Sequence, residues 1–273
     1  MTTLDYDKEY NNRALVPEHP AIMAGWARDA AAYRDARAGR WQTLSHGPGE
    51  RHRIDLFPAE GRGALVVFIH GGYWQALDRS SFSHMAAGLN ARGIDVAVPG
   101  YDLCPQVSVA EIIRQMRAAA VTLGASGRRL VVSGHSAGGQ LAACLLATDW
   151  PGCDAAAPAG LVTAAYAISG VFDLGPLVGT PLNTALRLDA AGAAAVSPLH
   201  WPAPKQGALD AVVGGAESGE FIRQSKVMAE RWGEAGLATR FTEIAGANHF
   251  TVIAPLADPA SAMTARLAEL ALA

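Results

Sequence analysis

The stretch LVVSGHSAGGQLA (130–142) runs an apolar strand directly into a serine with glycine two places before it and two places after. A serine in an ordinary loop has no use for Gly134 and Gly138 together. A serine raised on a sharp strand-to-helix turn does, because small residues on both sides let strand and helix approach closely. In this context G-x-S-x-G reads as a nucleophile elbow carrying Ser136, with a purely structural turn as the alternative. The following helix would set its free N–H groups and positive dipole end beside the seryl oxygen.

Outward from this stretch, short β-type runs alternate with longer helical ones. WQTLS (41–45) and HRIDLF (52–57) read as an early hairpin, and ALVVFIH (64–70) as a strand covered on both faces. SSFSHMAAGLNARG (80–93) has helical spacing and a glycine stop, IDVAVPGY (94–101) is a strand, and VAEIIRQMRAAAVTLGA (109–125) is a helix. RLVVSG (129–134), GLVTAAYAISG (160–170), LDAVVGG (209–215) and TRFTEIAG (239–246) complete about eight strands, with helices over 137–148 and 218–236. This order predicts an α/β fold whose mostly parallel sheet carries helices on both faces. One domain is expected over 1–273. Residues 1–40 form a helical extension through Ile22, Trp26 and Tyr33, and 174–200 an irregular segment that could cover a site from above.

Composition narrows the function classes. Half of the residues are hydrophobic, yet no apolar run reaches the roughly 18 residues of a membrane span. The polar, acidic N-terminus lacks the features of a secretory signal. Cys104, Cys144 and Cys153 show no metal-ligand spacing and read as small buried hydrophobes in a reducing compartment, so the expected location is cytoplasmic. A net charge of −3 without a basic stripe argues against nucleic-acid and membrane partners. A small-molecule substrate is expected, and a homodimer is left open.

Serine needs a base to act as a nucleophile at neutral pH. His249 follows the last strand in a Gly/Asn turn, where a loop can aim it at the elbow; His135 adjoins the serine and is expected to point away. The acid that orients the base is expected in the loop after LDAVVGG. Glu217 is the leading candidate, giving the chain order serine, acid, base, with Glu220 and Asp173 as rivals. FIHGGYW (68–74) bares backbone at the end of a buried strand, so the N–H groups of Gly72, Tyr73 and Ala137 are candidate oxyanion donors. Trp74 and Tyr73 are candidates for an apolar substrate wall, core packing being the alternative for Trp74.

Together these residues resemble the α/β-hydrolase family and, within it, the kynurenine formamidase (arylformamidase) group. HGGYW (70–74) looks like that group's oxyanion motif, GYDLCPQ (100–106) its Y-D-L-C-P segment and GHSAGGQLA (134–142) its elbow, and YNNRALVPEHP (10–20) and NHF (248–250) are similar too. The resemblance implies Ser136 as nucleophile, His249 as base and Glu217 at the acid position. Glu217 departs from the aspartate of eukaryotic members, and its extra methylene requires a small shift of the base loop. The implied activity is cleavage of a small acyl group from an aryl amide such as N-formylkynurenine, without a cofactor or metal. A short-ester carboxylesterase using the same residues is the alternative.

Overall fold

The computed structural model of the chain describes residues 4–61 and 63–273; residues 1–3 of the expected extension lie outside them. Eight strands form one sheet: β1 Gln42–Ser45, β2 Arg53–Phe57, β3 Leu65–Ile69, β4 Val96–Pro99, β5 Leu130–His135, β6 Val162–Ile168, β7 Ala208–Gly214 and β8 Ala238–Ile244. Their spatial order is β1-β2-β4-β3-β5-β6-β7-β8, antiparallel over β1, β2 and β4 and parallel from there on. The early strand pair therefore supplies the antiparallel edge, as its short connection requires.

Helices cover both faces. In chain order they are α1 Tyr6–Tyr10, α2 Asn12–Leu15, α3 His19–Ala36, α4 Ala87–Asn90, α5 Val109–Gly124, α6 Ala137–Leu146, α7 Trp150–Cys153, α8 Asn183–Leu186, α9 Ala190–Ala195, α10 Gly219–Glu234 and α11 Ala262–Leu272. Alternation along β3 explains its unbroken apolar run. Leu65, Val67 and Ile69 enter one core with residues of α5 and α6, while Val66 and Phe68 enter a second with residues of α3 and α11. Two buried faces leave no polar position in such a strand.

Two expectations need correction. The helix expected over 80–93 is a 3-10 helix, Arg79–Ala86, followed by the short α4. Ser80, Ser81 and Ser83 weaken α-helical preference, since their hydroxyls compete for backbone groups, and Phe82 to Ala86 are all buried, so no amphipathic stripe favours an α-helix here. Cys153 is exposed, unlike Cys104 and Cys144, because it ends the one-turn α7 outside the core. No helix among the described residues is long and apolar enough to cross a membrane.

Parallel register sets the position of the site. Ile69 pairs with Gly134, His135 with Ile168, Ile168 with Val212 and Gly214 with Ile244. The carboxyl ends of β3, β5, β6, β7 and β8 therefore share one edge, the place where open parallel sheets bind ligands.

Candidate active site

Ser136 sits between β5 and α6 with φ 57° and ψ −117°, a conformation that is strained for a residue with a side chain. The flanking glycines allow it. A Cβ on Gly134 would stand 2.1 Å from the Gly138 carbonyl oxygen, and one on Gly138 would stand 2.0 Å from that of Ile69. Strand, turn and helix touch backbone to backbone, which answers why glycine occupies both positions.

His249 lies in the loop after β8. Asn248 braces that loop, its side-chain oxygen accepting from the N–H groups of Phe250 and Thr251 at 3.0 Å each. His249 Nδ1 lies 2.6 Å from Glu217 Oε2, and the Glu217 side chain is fully enclosed. Glu217 Oε1 also accepts from Ser169 Oγ at 2.5 Å and from the Gly214 N–H at 2.7 Å. Three bonds thus fix the carboxylate, and Nδ1–H of His249 donates to it, leaving Nε2 for chemistry. The rivals are engaged elsewhere: Glu220 bonds Tyr10 and Arg223, and Asp173 faces His200 at 3.3 Å.

Ser136 and His249 line one cavity of about 550 Å³, with Gly72 and Tyr73 on its wall. Ser136 Oγ and His249 Nε2 are not hydrogen-bonded to each other; in hydrolase sites such bonds commonly tighten only with substrate. Gly71 presses against the elbow, since a Cβ there would lie 3.0 Å from that of Ser136. Among the described residues, no acceptor takes the backbone N–H of Gly72, Tyr73 or Ala137. Gly72, Tyr73 and Trp74 all have positive φ (109°, 50° and 57°), so the loop turns tightly at the end of β3.

Trp74 does not form a cavity wall. It is fully buried in the core, where its indole N–H donates to Gln140 of α6 at 3.2 Å. The sharp loop turns successive side chains apart, so Tyr73 lines the cavity while Trp74 locks the loop to α6. Burial, with the Glu217 charge second, keeps the Tyr73 phenol protonated well above its ordinary range.

Several contributors were not singled out from the sequence. His135, expected to point away from the serine, packs its ring 4.7 Å from that of His249. Ser169, with φ 51°, braces Glu217 from the end of β6, and nothing in ISG marks it in advance. The N-terminal extension reaches the site. Tyr10 and Asn12 line the cavity, the Tyr73 hydroxyl donates to the Tyr10 carbonyl at 2.7 Å, and Asn12 Nδ2 donates to the Tyr73 oxygen at 3.3 Å. Tyr10 is anchored to α10, its hydroxyl donating to Glu220 at 2.9 Å and accepting from Gln224 at 2.6 Å. The YNNR in the similar early segment was the available signal. From the segment over 174–200, Thr180, Pro181 and Leu182 line the same cavity.

The kynurenine formamidase of Salmo salar is 31% identical over 237 residues, 81% of this chain and 79% of that protein. That of Drosophila melanogaster is 32% identical over 227 residues, 77% of this chain and 74% of its own length. This chain belongs to the kynurenine formamidase family. No family model matches the chain. The structure of a candidate thioesterase from Silicibacter sp. TM1040 superposes with a TM-score of 0.85 at 36% identity, covering 96% of this chain and 98% of that one. A hyperthermophilic esterase from Pyrobaculum calidifontis, at 16% identity and a TM-score of 0.72, shares the fold. The formamidase family is thus built here on an α/β-hydrolase fold, and the chain is a hydrolase of that fold.

Proposed function

We propose that this hydrolase cleaves the formyl group from an aryl formamide such as N-formylkynurenine through an acyl-enzyme on Ser136. The observation that carries the reading is the Glu217–His249 pair facing, across one cavity, a serine strained at the edge of the sheet, in a chain of the formamidase family. Ser136 Oγ attacks the formyl carbon while His249 Nε2 takes its proton, and Glu217 stabilises the imidazolium. The N–H groups of Gly72, Tyr73 and Ala137 receive the developing oxyanion, each such donor being worth roughly 2.7–4 kcal/mol in the transition state. Collapse expels the aryl amine with the proton from His249. Water then attacks the formyl-enzyme by the same route, releasing formate and restoring Ser136.

A second reading keeps these residues and changes the leaving group to an alcohol or thiol. The 36% identity to a candidate thioesterase favours it. The two separate on kcat/KM for N-formylkynurenine against p-nitrophenyl acetate, measured with a chelator present. A strong preference for the formamide supports the first reading; ester turnover with the formamide barely touched supports the second.

A further inference from the structure

Three successive residues after β3 have positive φ, and two of them, Tyr73 and Trp74, carry side chains. Such a conformation persists only where surrounding contacts over-determine it. Trp74 is held by its indole N–H on Gln140 and by its carbonyl, which accepts the Cys104 N–H at 2.7 Å. Tyr73 is held at the tip of its ring. Its hydroxyl has one proton, which the Tyr10 carbonyl receives at 2.7 Å, and its oxygen accepts from Asn12 Nδ2 at 3.3 Å. With that proton committed and burial opposing ionisation, the phenol is a tether and not an acid toward substrate.

The tether ends on a segment that is itself fixed. Asn12 is buried although it belongs to the N-terminal extension; a buried amide needs a partner, and the Tyr73 oxygen is the one its Nδ2 finds. Tyr10 is tied to α10 through Glu220 and Gln224, and Glu9 Oε2 accepts the Glu220 N–H at 3.0 Å. Ser218, at the N-cap position of α10, makes no side-chain cap bond, so Glu9 supplies the acceptor that such a residue usually provides. Helix α10 starts two residues after Glu217. Residues 9–12 therefore bridge the loop after β3 to the helix that follows the acid.

We propose that Asn12 and the Tyr10 carbonyl position Tyr73, and through it the Gly72 and Tyr73 N–H groups, at the place where the oxyanion forms. The proposal rests on the reading of Ser136 as the nucleophile and adds the N-terminal segment to the apparatus that stabilises the transition state. Oxyanion donors act only within about 2.7–3.1 Å of the charged oxygen. A loop free to relax from its strained φ values loses them without losing the cavity. Asn12 acts through Tyr73 and is a positioning residue.

Tyr73→Phe removes the hydroxyl and keeps the ring and the backbone; Asn12→Ala removes the donor to it. Steady-state kinetics test the pair, on the better of N-formylkynurenine and p-nitrophenyl acetate, with Tm measured beside them. Expected is a kcat lower on the order of tenfold in Tyr73→Phe and several-fold in Asn12→Ala, with KM within about twofold, because the lost contacts act in the transition state. The double variant should match Tyr73→Phe, since Asn12 acts only through that hydroxyl. A packing role would lower Tm and leave kcat of the folded variants unchanged. That result, or losses that simply add in the double variant, overturns the proposal. If Asn12→Ala unfolds below the assay temperature, the kcat of Tyr73→Phe against its KM decides alone. Ser136→Ala is assayed in parallel. Wild-type turnover by it fails the nucleophile reading and the proposal together; an inactive Ser136→Ala beside a wild-type kcat in Tyr73→Phe sinks the proposal alone.

Discussion

His135 Nε2 donates to the backbone carbonyl of His249 across 2.8 Å, so the residue before the serine holds the loop that carries the proposed base. Burial first, and the neighbouring His249 second, push the His135 imidazole well below its ordinary range. It is a neutral positioning group. His135→Ala should lower kcat on the order of 10- to 100-fold with a smaller effect on KM, since the base is misplaced rather than removed. A changed KM with kcat intact would contradict this role.

The two glutamates near the start of α10 have separable effects. Glu217→Gln should cost about 10²–10⁴ in kcat, because the amide cannot stabilise an imidazolium. Glu220→Gln should leave kcat within several-fold and act on the docking of α1, where Glu220 receives Tyr10 and Arg223. Kinetics on the two variants side by side decide the matter, and the reverse ranking would displace Glu217 from its assigned role.

Gly138→Ala tests the close approach at the elbow. Its Cβ would meet two carbonyl oxygens, at 2.0 Å on Ile69 and 2.7 Å on His70. Both belong to backbone that cannot rotate away, so a loss at or above the usual ~1–3 kcal/mol of overpacking is expected. Chemical denaturation would read it, and an unchanged midpoint would mean that strand and helix are further apart.

Stability should fall with acid. Burial, in each case the leading cause, pushes His46, His70 and His84 down to about 4, from an ordinary value of 6.5. Between those values the unfolded chain binds protons that the native chain refuses, so unfolding free energy rises with pH across the window. The stabilisation is complete above about pH 6.5 and is lost as pH falls toward 4. Tm measured from pH 8 down to 5 should decline mainly below 6.5. A flat or rising Tm would mean these rings are solvated.

The middle of the sheet was legible because β3 to β7 are buried on both faces and their connections cross over; LVVFI and LVVSGH admit few other readings. The convergence of Ser136, Glu217 and His249 on one edge was legible because each follows the end of a strand, and parallel register brings those ends together; their proposed roles rest on that placement. Less legible were contacts that depend on side-chain direction. Trp74 and Tyr73 are adjacent in sequence, and only the positive φ values of their loop decide which one meets the cavity. Ser169 and His135 act through hydrogen bonds across strands, which spacing along the chain does not encode. The role of Tyr10 depends on a partner 210 residues away in sequence.

The central claim is that Ser136 is the nucleophile of an acyl transfer. Its most direct test is labelling with a fluorophosphonate, read by intact mass and peptide mapping beside residual activity. The account predicts one adduct per chain, placed on Ser136, activity lost in proportion to labelling, and no adduct in Ser136→Ala. An adduct on another residue, or hydrolysis that survives complete labelling, would contradict it.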